Sequence, residues 1–468
     1  MKIPLRERCR LDNGIQLILI PDHEVPLIAF EALLRGGSRL DPLGREGLAA
    51  LTAELLTQGA GSRDAYEFAD AVEGTGGSLD GDAHREATLL HGQFLAQDRE
   101  LLLELLADAL QSPRFEAADI DKVRQRRIES IRAAKDSEPQ SLLDNYGRAL
   151  LFADHPYGKP TGGSELGLGA ITRADVLRYY RGQFGADRLT LVFAGDFDVE
   201  WMREAVARRF GTWGAAASRL PPLPAPHRVQ GRRILLVDSP GSEQSYFWIA
   251  NVGVARGYPL RAALDVTNTV FGGSFGSMLM QALRVRTGLT YSVSSSFRRG
   301  SVAGEFAIQS FASTPSTARA LDIALGTLDT LKQRGAASEA IASARNYILG
   351  QYPLGFETAA DWATVLADLE LYGLSESYVE DFVPALKQVS SADIDQVVAD
   401  AFPSSSDVAI ALIADAERVR GEIARFGQCI EMPLEAPRFS APPAKSASAA
   451  KSASAAKSAS AARPARAR

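Results

Sequence analysis

The sequence predicts an α+β fold that is built twice along the chain. Two segments that start 218 residues apart, 171–184 and 389–402, match each other. In both halves apolar runs typical of strands come first, long amphipathic helices follow, and a further strand and helix close the unit. Strands and helices segregated in this way are typical of helices laid on one face of a mostly antiparallel sheet.

Each copy of the repeat predicts a helix start and then a buried strand. Thr172 and Ser390 occupy helix N-cap positions, and Asp175 and Asp393 follow them three residues later. This is the aspartate variant of a capping box. The β-rich runs that come next are 189–196 and 408–415. Buried first strands are predicted at 15–20 and 234–237.

A proline-rich stretch divides the chain. Residues 215–233 contain Leu-Pro-Pro-Leu-Pro-Ala-Pro, which predicts an extended connector rather than a helix. We therefore expect an N-terminal α+β domain over 1–214, this linker, a C-terminal α+β domain over 234–436 and a tail over 437–468. From residue 444 the tail repeats Ala-Lys-Ser-Ala-Ser-Ala three times without a large apolar residue, so it is predicted to be disordered.

Composition and charge limit the location and the partners. The chain has no run of eighteen uncharged apolar residues, and its first residues lack the apolar core of an export signal. No membrane contact is expected, and the cytoplasm is the expected compartment, with the periplasm as the alternative if a leader has been removed. The last 25 residues carry six basic side chains and no acid, which leaves a net charge of −12 on the rest. Nucleic acid is therefore not expected as a partner, except through this basic tail.

Three short motifs carry a resemblance to a known family. They are Gly-Gly-Ser-Arg at 36–39, His-Pro-Tyr-Gly at 155–158 and Gly-Leu-Thr-Tyr-Ser-Val at 288–293. With the duplicated halves, they make the chain similar to the pitrilysin/insulinase family of zinc metallopeptidases, of the processing-peptidase type, over nearly all of residues 10–430. The resemblance implies that the two α+β domains form a half-shell.

The catalytic positions of that family are changed in this sequence. Active members carry His-x-x-Glu-His on the first long helix, where two histidines one turn apart bind zinc and the glutamate is the general base. The resemblance places Ala50 and Glu54 at the histidine positions, Ala53 at the base position and Ser130 at the position of the distant third ligand. Because only Glu54 could bind a metal, we expect no zinc in this chain.

The second half keeps a pair that resembles the family's substrate-contacting residues. Arg284 ends a predicted helix, Gly288 stops that helix, and Tyr291 opens a strand, so the two polar tips can converge across the turn. A guanidinium and a phenol at a scissile carbonyl would stabilise the developing oxyanion. The structural alternative is that Arg284 caps a helix end and Tyr291 is a half-buried strand residue. Arg286, predicted to be solvated, is the second arginine candidate.

A glycine-rich segment, Gly-Gly-Ser-Phe-Gly at 272–276, precedes that helix. It has no lysine, and its glycine spacing fits neither nucleotide-binding fingerprint. The sequence therefore predicts a tight strand-to-helix connection here.

These observations together predict the non-catalytic subunit of a heteromeric zinc metallopeptidase, inactive alone. A zinc-bearing sister subunit with His-x-x-Glu-His would hold the metal, and Arg284 and Tyr291 would contribute to peptide binding and oxyanion stabilisation in the partner's active site. No cofactor is predicted in this chain itself. Two alternatives stay open, a structural or assembly protein of the same fold and a homodimeric module that only binds peptides.

Overall fold

Two six-stranded sheets form the framework of the computed structural model, which describes residues 1–441. The strands of the first sheet are β1 (Glu7–Arg10), β2 (Gln16–Pro21), β3 (Leu27–Arg35), β4 (Ser78–Ala83), β5 (Ala87–Leu95) and β6 (Leu189–Gly195). Those of the second are β7 (Arg233–Asp238), β8 (Gln244–Gly253), β9 (Val293–Arg299), β10 (Gly304–Ser313), β11 (Ala409–Ala414) and β12 (Cys429–Pro433).

The two sheets share one topology over five of their six strands, and the outer strand differs: β1 comes first in its half and is antiparallel to β2, whereas β12 comes last and is parallel to β7. Their strand orders are β1-β2-β6-β3-β5-β4 and β12-β7-β11-β8-β10-β9. The pairs β2–β6, β7–β11 and β7–β12 are parallel and the other pairs are antiparallel. The predicted duplication and the mostly antiparallel α+β class are therefore confirmed.

The helices follow the strands in the same order in both halves. Those of the first half are α1 (Leu48–Leu55), α2 (Ala65–Glu73), α3 (Arg99–Gln111), α4 (Ala117–Ser137), α5 (Leu143–Phe152), α6 (Glu165–Gly169), α7 (Arg173–Gln183) and α8 (Val199–Phe210). Those of the second half are α9 (Arg261–Asn268), α10 (Thr317–Arg334), α11 (Ser338–Gln351), α12 (Ala359–Tyr372), α13 (Ser377–Glu380), α14 (Phe382–Gln388), α15 (Ser391–Asp400) and α16 (Ala416–Ile423).

Capping boxes begin the repeated helices α7 and α15. The Asp175 amide donates to Thr172 Oγ1 at 3.3 Å, and the Thr172 amide donates back to the Asp175 carboxylate at 3.0 Å. Ser390 and Asp393 make the same reciprocal pair. Each box satisfies two backbone donors that the first helical turn leaves without partners, as the sequence predicts.

One helix of each half packs against the sheet of the other half. Helix α5 packs on β8 and β11 of the second sheet, and α12 packs on β3 and β6 of the first. The approach is close, because a Cβ atom added to Gly147 would lie 2.5 Å from the ring of the fully buried Trp248. Strands β6 and β11 are buried along their whole length, so both faces of each sheet need cover. The prediction of helices on one face of each sheet holds for the helices of the same half. The other face is covered by the helix from the opposite half.

The linker and the start of the tail pack against the body. No helix or strand lies between the end of α8 and Arg233, and buried Val229 exchanges two hydrogen bonds with the Asn251 side chain, at 2.9 and 3.0 Å. Disorder from residue 437 is wrong for 437–441, because Phe439 is buried and its ring centroid lies 5.0 Å from that of Tyr146. The remainder of the predicted disordered tail lies outside the described residues. Within 1–441, no helix has the length and apolar character needed to cross a bilayer.

Candidate functional site

Helix α1 holds the positions at which the family carries its inverted zinc motif. The carboxylate of Asp41 anchors its first turn, accepting from the Gly47 and Ala49 amides at 2.8 Å each. Burial raises the pKa of Asp41 to about 7, although these two hydrogen bonds oppose that shift. Ala50 and Ala53 are buried, and a methyl group supplies neither a metal ligand nor a base. Helix α1 is therefore present and anchored, but it lacks two metal- or base-bearing side chains at Ala50 and Ala53.

The one remaining carboxylate, Glu54, is bound by arginines of α4. Its Oε2 lies 2.6 Å from Arg127 Nε, and its Oε1 contacts Arg126. Arg127 also donates to the carbonyl of Ala50 at 3.1 Å, so its guanidinium bridges the two positions that would be histidine. Ser130 lies one turn further along α4 and is exposed.

This donor set does not fit zinc. Zinc sites in proteins use three or four side-chain ligands, whereas two of the positions here are alanine and the glutamate already neutralises a cation. Among residues 1–441, no three histidine, cysteine, aspartate or glutamate side chains cluster as a metal site would require. The sequence does not predict that Arg126 and Arg127 bind Glu54, because this pairing depends on the register between α1 and α4. One signal was present, since Arg127 precedes Ser130 by the i, i+3 spacing of residues on one helix face.

Arg284 and Tyr291 come together at an edge of the second sheet. Arg284 lies in a π-helical turn, Met280–Val285, and Gly288 ends it with a left-handed φ of 62° and an amide that donates to the Arg284 carbonyl at 2.9 Å. The guanidinium carbon of Arg284 then lies 4.4 Å from the centroid of the Tyr291 ring. Tyr291 does not open the strand, because β9 begins two residues later at Val293. The ring consequently stands in solvent, 72% exposed.

A third side chain, Phe275, also lies against the guanidinium of Arg284. The Phe275 ring is 65% exposed, and its centroid lies 5.0 Å from the guanidinium carbon of Arg284. We call Phe275, Arg284 and Tyr291 the arginine stack. Stacking uses the faces of the guanidinium and leaves its in-plane N–H groups available to a ligand. The sequence predicts only a connection at Phe275, although a large aromatic residue among glycines is itself a signal of a functional position.

The segment that carries Phe275 is not the strand-to-helix connection that the sequence predicts. It follows α9 through a π-helical turn, Thr269–Gly273, and leads into the helical turn of Arg284. A Cβ atom on Gly272 would lie 2.7 Å from the backbone nitrogen of Ser295, so glycine is required by close approach to β9. Two π-helical turns in succession are uncommon and are frequent at functional sites.

The structure separates the two groups of candidate residues. Ala50, Ala53, Glu54 and Ser130 lie on helices over the first sheet, and the arginine stack lies beside β9 at the edge of the second. Within residues 1–441, no side-chain hydrogen bond or ion pair engages the phenol of Tyr291 or the guanidinium groups of Arg284 and Arg286. Arg286 is exposed and does not stack on an aromatic ring of the described chain.

Two family descriptions match large parts of the chain. Residues 28–165 match the description "Insulinase (Peptidase family M16)" and residues 170–348 match "Peptidase M16 inactive domain". An uncharacterized zinc protease of Mycobacterium bovis is 27% identical over 363 residues, which are 77% of this chain and 82% of that protein. A protein of Helicobacter pylori described as a non-peptidase homolog is 22% identical over 414 residues, 86% of this chain and 93% of that one.

Two solved structures share the fold. A peptidase M16 inactive domain from Pseudomonas fluorescens has a TM-score of 0.81 at 21% identity, covering 88% of this chain and 98% of its own. A protease from Helicobacter pylori has a TM-score of 0.80 at 18% identity, covering 88% of this chain and all of its own. At these identities the likeness concerns the fold.

Proposed function

The chain belongs to the insulinase family of peptidases, M16, as a non-catalytic member, and from that premise we propose that it is one subunit of a two-chain zinc peptidase. One observation carries the proposal. The positions for metal and base hold Ala50, Ala53 and an arginine-paired Glu54, whereas Arg284 lies against the exposed ring of Tyr291 and, within residues 1–441, neither polar group has a side-chain hydrogen bond or ion pair. A chain built in this way can contribute donors to a site whose metal lies elsewhere.

The chemistry of this chain is oxyanion stabilisation. Hydrolysis of a peptide bond builds negative charge on the carbonyl oxygen, and donors already aimed at that oxygen lower the barrier. The guanidinium of Arg284 supplies charged N–H donors, and the phenol of Tyr291 supplies a hydroxyl. The neighbouring rings of Phe275 and Tyr291 restrict the side chain of Arg284, so less orientational freedom is lost when substrate binds. Zinc and the general base would come from a sister chain with His-x-x-Glu-His.

Capture of the sister chain tests this function. The full chain, purified from its native cells under mild conditions, is expected to bring with it a second M16 chain that carries His-x-x-Glu-His. Each chain alone should leave a fluorogenic peptide uncut, and the mixture should cleave it. An active sister chain that gains nothing from this one would contradict the proposal.

The second candidate is a protein of the same fold that assembles or binds peptides without hydrolysis. The arginine bridge across Glu54 favours it, because this contact stabilises an inactive first half. The two candidates differ in one result: a complex that captures peptides but never cleaves them, with its sister chain present, identifies the second. Homodimers without any sister chain would identify the purely peptide-binding form.

A further inference from the structure

The second half contains a cavity at the place that corresponds to the changed zinc site of the first. Helix α9 follows β8 as α1 follows β3, and these two strands occupy the same position in their sheets. Beside α9 lies a cavity of about 660 Å³, bounded also by β9, α11 and α12. This volume is within the range of small-molecule sites in proteins. We call it the second-half cavity.

The charged side chains that line the second-half cavity sum to one positive charge. They are three arginines and two aspartates: Arg256, Arg261, Arg299, Asp265 and Asp368. Arg299 pairs with Asp265 at 3.2 Å, and Arg256 pairs with Asp368 at 2.8 Å. Arg261 donates to the carbonyl of Tyr378 at 2.8 Å instead of to a carboxylate. The excess cation is matched by a ligand with a single negative charge.

Two arginine nitrogens at this cavity are buried without an acceptor among the described residues. They are Nε of Arg256 and Nη1 of Arg299. A buried N–H group without a hydrogen-bond partner is costly, and native proteins seldom leave one in that state. Both arginines use another nitrogen for an aspartate, so part of their donor capacity is unused. A ligand acceptor would use that capacity.

The remaining wall is largely aromatic and aliphatic. Tyr347 and Ile348 contribute from α11, Tyr352 and Phe356 from the turn after it, and Val365 from α12. Tyr347 is half exposed, so the wall formed by α11 reaches solvent. Such a wall binds an apolar or aromatic group, and the arginines orient a polar end.

We propose that the second-half cavity binds a monocarboxylate that carries an aromatic or apolar group. The carboxylate accepts hydrogen bonds from Arg256 and Arg299, and the apolar group lies against Tyr347, Ile348 and Tyr352. The proposal requires a small rotation of each guanidinium, because neither unpartnered nitrogen contacts solvent in the free chain. The ligand can be a free organic acid or the C-terminal residue of a peptide. The proposal is independent of any peptidase activity.

Calorimetric titration of the intact chain tests this inference. The probes are 3-phenylpropionate and its neutral isostere 3-phenylpropanamide, and we expect the acid to bind at least about tenfold more tightly. Acetyl-Ala-Phe with a free C-terminal carboxylate, compared with its amide, distinguishes the two sources: tighter binding of the peptide acid than of the free acid identifies a peptide end.

Cavity-filling variants locate the site. Ile348→Trp and Val365→Phe place additional side-chain volume in the cavity without changing its charge, and each should weaken binding of the acid by about tenfold or more. Arg286→Gln is the control: it removes a positive charge that does not line this cavity, so binding should be unchanged. The acid–amide comparison on the unchanged chain decides the question by itself if a filled variant does not fold. Absence of saturable binding up to about 10 mM, equal binding of acid and amide, or full binding by the folded filled variants would each overturn the inference.

Discussion

Arg127 binds Glu54 across the interface of α4 and α1, with 2.6 Å between Nε and Oε2. The same guanidinium reaches the carbonyl of Ala50, so a protein cation links two of the positions where active relatives bind zinc. We therefore expect this contact to stabilise the first half and to disfavour metal binding at Glu54. This relationship can be tested separately from any assembly.

The two arginines that bind Glu54 should differ in their effect on stability. Arg127 is 22% exposed and makes two contacts, whereas Arg126 is 57% exposed. We expect Arg127→Gln to lower the free energy of unfolding by about 1–2 kcal/mol and the matched Arg126→Gln by less than about 0.5 kcal/mol, because water screens the exposed pair. Urea unfolding measures both, and equal effects would show that Arg127 does not bridge α1 and α4.

Zinc content is the second prediction. The purified chain should hold less than about 0.1 equivalent of zinc after dialysis, because alanine and an exposed serine supply no ligands. Elemental analysis measures this, with the assembled complex as the positive control. Stoichiometric zinc that is removed together with an intrinsic peptidase activity would contradict our interpretation of the first half.

The third prediction concerns Glu31, which lies in β3 beneath α12. Burial and the neighbouring Asp368 raise the pKa of Glu31 from 4.5 to about 7. Between these values the folded chain holds a proton that the unfolded chain releases, so stability should fall as pH rises from about 4.5 to 7 and then level off. The raised pKa corresponds to about 3 kcal/mol at most.

Glu31→Gln isolates this contribution. The variant should be more stable than the parent at pH 8 and equal to it near pH 4.5, as judged by urea unfolding across that range. Asp41, whose pKa is also raised to about 7, leaves a residual slope of the same sign in both proteins. The exposed Glu129→Gln is the control, and an unchanged pH profile in Glu31→Gln would refute the assignment.

Two truncations test the predicted disordered tail and the packed residues that precede it. Ending after Pro443 removes only small and charged residues and a proline, so the melting temperature should change by less than about 2 °C. Ending after Ala436 also removes Phe439 from its contact with Tyr146 and should cost about 3 kcal/mol of unfolding free energy. Differential scanning calorimetry compares the two truncated chains. A large decrease in melting temperature on ending after Pro443 would show that the basic tail docks.

Local sequence patterns predict the duplication and the helix starts because these depend on neighbouring residues. Thr172 and Asp175 specify a capping box by spacing alone, and apolar runs specify the strands. The packing of α5 and α12 on the sheet of the opposite half is not predictable in this way, because the sequence of a helix does not specify which sheet it covers. The need for glycine at position 147 becomes clear only from its contact with Trp248.

In the candidate site, too, the local turn is predictable from the sequence and the contacts between distant segments are not. The spacing of Arg284, Gly288 and Tyr291 specifies a turn, and the structure brings the two side chains together across it. Phe275 joins them because α9 continues through a π-helical turn where a strand end was predicted. The binding of Glu54 by Arg126 and Arg127 depends on the register of two helices about 70 residues apart in the chain, which composition and spacing do not fix.

The proposed function requires that Arg284 and Tyr291 act in a site shared with a zinc-bearing sister chain. Turnover of a fluorogenic peptide by the reconstituted complex tests it most directly, with Arg284→Ala and Tyr291→Phe compared with the parent and with the neighbour control Arg286→Ala. Loss of one oxyanion donor should reduce kcat by about 10²–10³-fold, with a smaller change in KM, while assembly and the control stay unchanged. Assembled Arg284→Ala and Tyr291→Phe complexes that both cleave at the parental rate would contradict the claim.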